Sequence, residues 1–241
     1  MGATDTTGHH WPIWDIRIRT PRLELRPLAQ QEMFDLVEVM RAGIHDPADM
    51  PFLNPFTDLP SPERERNAYR YFLSNWATWT PLDWKLTFAV YLRPDTGPDV
   101  ATGAPAGTCV ANQSIMAKQF PIRRVVDTGS WVGRAHHGHG IGKEMRAAVL
   151  HFAFEGLGAQ RAQTEAFVDN PASQRVTESL GYTDDGGGVD VQRDHARRVH
   201  RYALERDEWA RRRRDDITLA GLEGALDMFG LDGSLTPLDT P

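Results

Sequence analysis

A single domain of the α+β class (mixed α/β) follows from three features of the 241-residue chain. Apolar residues recur with period 2 in some stretches and near 3.6 in others, in the order strand, two helices, several strands, helix, strand, helix, strands. That order lacks the strict βαβα alternation of a doubly wound sheet. The length and a 40% hydrophobic content provide one good-sized core and are marginal for two.

From the N-terminus, residues 1–12 are polar and read as a flexible lead. Ile16, Ile18, Leu23 and Leu25 alternate with charged residues, giving half-buried strand broken at Thr20-Pro21. Met33, Leu36, Val37 and Met40 fall at helical spacing, and Gly43 ends that helix. Residues 44–59 carry three prolines and read as a structured loop. Ser61-Pro62-Glu63 predicts a helix start with Ser61 as N-cap, and Ala68, Phe72, Trp76 and Trp79 form its apolar face. Residues 86–92 and 107–116 predict a hairpin with a long Gly/Pro connection, and residues 125–132 a third strand. Ile141, Met145, Ala148, Val149 and Phe152 mark a long amphipathic helix behind a glycine-dense loop. Residues 162–168 read as strand, Asn170-Pro171 opens a short helix closed by Gly181, and residues 199–204 form the last strand. The organisation expected is a lead over 1–12, a domain over 13–210 and a tail over 211–241. In the tail Arg211–Arg214 reads as a solvated helix end, and residues 217–231 as a short amphipathic helix.

Composition narrows the function classes. The net charge of −6 argues against a duplex nucleic-acid binder, which would show a basic face. It leaves phosphate ligands open, because backbone N–H groups bind them without net positive charge. One cysteine, Cys109, forbids an intramolecular disulfide and suits a reducing cytoplasm. The first residues lack the pattern of a signal peptide, and no apolar run reaches the roughly 20 residues of a membrane span. A cytoplasmic protein with no membrane partner is expected.

The most informative segment is His136-His137-Gly138-His139-Gly140-Ile141-Gly142-Lys143, which follows a strand and opens a helix. Glycines permit close backbone approach, and a helix N-terminus offers free N–H groups with a favourable dipole. The segment departs from both the Gly-x-Gly-x-x-Gly fingerprint and the P-loop. Alone, it is compatible with a pyrophosphate site or an ordinary tight turn. The neighbouring histidines suggest metal, but no converging ligands or cysteines accompany them, so none is expected.

This loop resembles the acyl-CoA signature Gln/Arg-x-x-Gly-x-Gly/Ala of the GNAT superfamily, with His137 in the Gln/Arg position and Gly140 and Gly142 in the small positions. About 30 residues on, Asn170-Pro171-Ala172-Ser173 through Leu180-Gly181-Tyr182 resembles the second GNAT signature, an Asn-led helix ending in Gly-Phe/Tyr. With Thr20-Pro21-Arg22-Leu23, the pattern is similar to the RimJ/RimL-like branch of N-acyltransferases. Residues 44–52, 118–133 and 167–173 look like a mycobacterial and actinobacterial subgroup. The resemblance spans residues 11–210 and leaves out the tail. It implies the GNAT fold, a splayed mixed β-sheet flanked by helices. It also implies acetyl-CoA or succinyl-CoA as acyl donor and a small-molecule amine or protein N-terminal amine as acceptor. A homo-oligomer is left open.

The same resemblance assigns roles. Trp131, Val132 and Gly133 would pair with the pantetheine, and Gly138, His139, Gly140, Ile141, Gly142 and Lys143, with His137, would hold the pyrophosphate. Asn170 and Ser173 would also touch the cofactor. Amine acylation needs a base for the amine and an acid for the leaving thiolate. Asp127, before Gly129 on the third strand, stands in the position of the base; a local hydrogen bond at the strand start is the competing role. The Tyr that many GNAT enzymes use as acid is replaced by Thr177, and Ser173 matches the RimL-like alternative; the competing role is an ordinary first-turn serine. Phe52, Phe56 and Trp84 are candidates for an acceptor pocket, and Arg123-Arg124 for an anionic group. Two other function classes compete: a catalytically idle GNAT module that binds acyl-CoA, and a nucleotide-binding enzyme of another fold.

Overall fold

The computed structural model describes residues 10–93, 95, 99 and 101–231. Nine strands form one sheet: β1 (Arg17–Arg19), β2 (Leu23–Pro27), β3 (Trp84–Leu92), β4 (Cys109–Ala117), β5 (Val125–Val132), β6 (Arg161–Phe167), β7 (Thr183–Gln192), β8 (His195–Glu205) and β9 (Thr218–Ala220). Their spatial order is β7-β8-β6-β5-β4-β3-β2-β1-β9. All neighbours are antiparallel except β5 and β6. The helices are α1 (Gln30–Ala42), α2 (Glu63–Ala77), α3 (Phe120–Arg123), α4 (Ile141–His151), α5 (Pro171–Ser179) and α6 (Arg206–Ala210). The mixed α+β class and the open sheet flanked by helices are as expected.

The helices cover both faces of the sheet, so β3 is buried on both sides. Leu86, Phe88, Val90 and Leu92 face the layer that contains α4, while Ala89 and Tyr91 face α1 and α2. Met33, Leu36, Val37 and Met40 pack α1 against that second face, at the spacing read from the sequence. The α4 helix is buried along nearly its whole length and ends in a π-helical turn over Phe152–Gly156. None of the helices in the described residues is long and apolar enough to cross a membrane.

Several local expectations change. The α2 helix starts at Glu63, with Pro62 rather than Ser61 as N-cap and no side-chain capping bond. Residues 183–192 form a full strand, β7, although their Asp and Gly content gives no strand signal; ladder pairing with β8 holds them. Residues 217–231 do not form one amphipathic helix. Residues 218–220 add β9 to the outer edge of β1, and Glu223–Phe229 is a 3-10 turn that seats Phe229 in the core. Of the expected flexible lead, residues 1–9 lie outside the described residues. Trp11 packs against Trp14, Trp76 and Trp79.

Candidate active site

The site begins where β5 and β6 part. They pair in parallel at only three positions, Val125↔Arg161, Val126↔Ala162 and Asp127↔Gln163. Beyond Asp127, β5 runs on to Val132 and β6 to Phe167 without a ladder between them. A groove of about 1510 Å³ occupies this gap. On its other edge β5 stays paired with β4 through Ala111↔Val132, and the Gly133 amide donates to Val110 O at 2.8 Å. Alternation along an antiparallel strand then turns the backbone groups of Thr128, Ser130 and Val132 toward the open edge, and those of Trp131 toward β4. Thr128 O accepts from Thr164 Oγ1 at 3.0 Å. Val132 O accepts from His137 Nε2 at 2.9 Å.

The glycine loop closes one end of the groove. Gly140 is the N-cap of α4 at φ 78°, a backbone conformation that favours glycine. No side chain caps α4, so its first-turn N–H groups stay available at the groove, which Ile141, Gly142 and Lys143 line. Lys143 and the nearby Arg175, both exposed, have no ion-pair partner among the described residues. The loop is braced from behind by the N-terminal strands. Thr20 Oγ1 donates to Glu144 Oε1 at 2.5 Å, and the Arg22 amide donates to the same oxygen at 3.1 Å. The Arg22 guanidinium pairs with Asp99 at 2.9 Å and donates to His139 O at 2.9 Å. The hydrogen bond from Arg22 holds the Asp99 carboxyl down at about 2.

Asn170 caps α5, its Oδ1 accepting from the Ser173 amide at 3.1 Å. The capping bond uses the Ser173 backbone, and its hydroxyl, at the groove wall, has no hydrogen-bond partner among the described residues. Thr177 is fully buried and its hydroxyl donates to Ser173 O at 2.9 Å, so it does not reach the groove. Asp127 stands at the apex, in the last paired position of β5 and β6. Its carboxylate has no hydrogen-bond partner among the described residues. The desolvating protein around it raises its pKa, against the lowering pull of Arg123 and Lys118.

The structure thus brings Asp127, Trp131, Val132, His137, Gly138, Gly140, Ile141, Gly142, Lys143, Asn170 and Ser173 to one groove. Gly133 and His139 do not line it. Gly133 is buried, and a Cβ there would meet Val39 Cγ1 at 2.9 Å and Val110 O at 3.2 Å. His139 contributes its carbonyl to Arg22. Phe52 lines the groove, held in the 44–59 loop by Gln192, whose Nε2 donates to Met50 O at 3.1 Å and Phe52 O at 2.5 Å. Phe56 packs behind it at 5.1 Å. Trp84 is in the core against Phe120 and Phe229, not in an acceptor pocket. The Arg124 guanidinium is likewise engaged elsewhere, on Pro121 O and Leu157 O. Among the described residues, no group of His, Cys, Asp and Glu could hold a metal ion.

A narrow gap between strands, with free N–H groups and two unpaired cations at one end, suits a long arm with an anionic end. Residues 22–183 match the family described as Acetyltransferase (GNAT) domain. Among solved structures, a GCN5-related N-acetyltransferase from Brucella melitensis is 20% identical, covers 82% of this chain and 85% of its own, and gives a TM-score of 0.60. RimL, a ribosomal alpha-N-protein acetyltransferase solved in complex with coenzyme A, is 17% identical over 78% of this chain and 97% of its own, with a TM-score of 0.55. The spermidine/spermine N-acetyltransferase SpeG from Vibrio cholerae is 14% identical over 80% and 99%, with a TM-score of 0.54. At these identities the likeness to the solved structures is one of fold.

Proposed function

The chain belongs to the GNAT acetyltransferase family, and from that premise we propose that it moves an acetyl or succinyl group from coenzyme A to a primary amine by direct attack in a ternary complex. The carrying observation is the unpaired stretch of β5 and β6, with the open α4 N-terminus at one end and Asp127 at the other. Acyl-CoA supplies the activated acyl group as a thioester. The first-turn N–H groups of α4, with Lys143 and Arg175, would hold its phosphates. The backbone edge at Ser130 and the Val132 amide would run beside its arm.

In this reading the new N–C bond forms as the C–S bond breaks. Asp127 takes the amine's proton, through a relaying water because aspartate is one methylene shorter than glutamate. The Ser173 hydroxyl gives a proton to the leaving sulfur and recovers one from solvent, to which Asp127 releases the proton it took. The acceptor is a small-molecule amine or a protein N-terminus, admitted beneath the 44–59 loop. The single cysteine fits a cytoplasmic setting. The chain is taken to fall within the mycobacterial and actinobacterial subgroup of the RimJ/RimL-like branch, its catalytic unit starting at residue 13 and extended past residue 210 by β9 and Phe229.

The test is thiol release from acetyl-, propionyl- and succinyl-CoA with a panel of amines and peptide N-termini. Release that depends on both donor and amine is expected. Tight acyl-CoA binding with no release on any amine would instead favour an idle acyl-CoA module.

A further inference from the structure

Gln192 ends β7, a strand whose other residues are exposed or half-buried, yet it is itself only 3% exposed. Its Nε2 reaches across to the 44–59 loop and donates to Met50 O and Phe52 O. Its Oε1 accepts from Arg197 Nη1 at 2.5 Å. Arg197, on β8, turns its other terminal nitrogen toward α5, where Nη2 donates to Asp169 Oδ1 at 2.8 Å and Oδ2 at 2.6 Å. Its guanidinium also lies over the Phe167 ring, 4.8 Å from the centroid. Asp169 sits in the turn between β6 and α5, beside Asn170. The Asn170 amide closes that turn on Phe167 O, and Gln174 Nε2 does so on Phe167 O and Val168 O, each at 2.9 Å.

These contacts make one unbroken chain from Phe52 through Gln192, Arg197 and Asp169 to the start of α5. One end is the roof of the groove, on the side where the amine would enter. The other is the helix start that would meet the donor. Each link has little freedom. A primary amide has two N–H donors, and the Gln192 amide spends its donors on carbonyls of one loop. The Phe167 ring holds the plane of the Arg197 guanidinium, and a charged acceptor fixes its direction. The Arg197–Asp169 pair is partly exposed, with the Asp169 side chain at 69%, so it contributes little to stability by itself. What distinguishes it is its place between two sides of one site. Coupling between sites is carried by such chains of packed and hydrogen-bonded groups.

We propose that Gln192 and Arg197 are positioning residues that tie the loop above the acceptor side to the start of α5, so that a donor seated against Asn170 and Ser173 fixes the height of Phe52 over the groove. The proposal rests on the acyl-CoA reading above. Gln192 itself does not line the groove, so it acts through the loop and through Arg197.

The experiment is hydrogen–deuterium exchange on the full chain, read at the backbone amides of residues 44–59, without coenzyme A and with enough to saturate each variant by calorimetry. In the wild type, coenzyme A is expected to slow that exchange at least about 5-fold, the low end of a coupling between two sites. The ratio is expected to fall below about 2-fold in Gln192→Leu, at the loop end of the chain, and in Asp169→Ala, at the helix end. Asp169 is exposed, so Asp169→Ala should melt close to the wild type, and it decides alone if Gln192→Leu does not fold. If Gln192 merely holds the loop, its loss speeds exchange with and without coenzyme A alike, and Asp169→Ala leaves the ratio as it was. Either result overturns the proposal, as does a wild-type loop whose exchange ignores bound coenzyme A. Failure of the acyltransferase reading looks different: coenzyme A binds and the loop responds, but no amine releases thiol. Calorimetry that finds no binding of coenzyme A overturns both.

Discussion

At the scale of single residues, the site depends on which polar groups are left unpaired. Asp127 makes no side-chain hydrogen bond among the described residues, and its surroundings disfavour the charged form, so its pKa is raised above the ordinary carboxylate value. A base works deprotonated, so the acid limb of kcat/KM should lie above pH 3.8, with activity falling as pH drops through the raised value. In Asp127→Asn that limb is expected to vanish along with most of the turnover. The sign for stability is the reverse: a raised carboxyl pKa disfavours the folded state at pH values above it. The same variant should therefore melt no lower than wild type at pH 7, which thermal melts at pH 4 and 7 check. Asp127 and Ser173 are legible in the sequence because each belongs to a short local pattern. Gln192 and Arg197 are not, because their partners Met50, Phe52 and Asp169 lie 28 to 142 positions away. Glu144, Asp99 and Arg22 escape for the same reason, since their partners are 77 to 124 positions away.

At the scale of elements, one helix start combines two tasks that mutation can separate. Asn170 caps α5 through the Ser173 amide, while the Ser173 hydroxyl has no hydrogen-bond partner among the described residues. Asn170→Ala should lower global stability by about 1 kcal/mol, the usual value of an N-cap. Ser173→Ala keeps the capping bond and should leave the melting temperature nearly unchanged while turnover drops about 100-fold. Calorimetry beside steady-state kinetics reads both, and an unaltered kcat in Ser173→Ala would remove that residue from the mechanism. The strands β3 to β6 and the helices α1 and α4 were legible because each buries its own periodic face, and α5 because Asn170-Pro171 marks its start. The β7 strand was not, because Asp184, Asp185 and three glycines carry no strand preference and the segment is held by β8. The loop over 44–59 reads only as a loop, and its placement above the groove comes from Gln192 and from the ion pair of Arg193 with Asp58.

For the molecule as a whole, the segment after α6 belongs to the core. Phe229 is fully buried against Trp79, Trp84 and Phe152, and Trp79 Nε1 donates to Met228 O at 2.8 Å. Phe229→Ala is expected to cost about 3–5 kcal/mol, as for a large buried aromatic. Urea unfolding should show that loss as a lower midpoint at unchanged m-value, with coenzyme A affinity in the surviving folded fraction preserved. Period and spacing could not show this docking, because the apolar residues of 217–231 fit a helix equally well and Phe229 finds its place only once the aromatic residues Trp79, Trp84 and Phe152 surround it.

The pairing of β9 with β1 also has a consequence in time. Arg19 meets Thr218, so the strand made first at that edge waits for one made roughly 200 residues later. At translation rates of about 5–20 residues per second, Ile18 and its neighbours present an open backbone edge for on the order of ten seconds or more. During that interval β1 is the place where a nascent chain could pair with another, and the arrival of β9 ends the exposure.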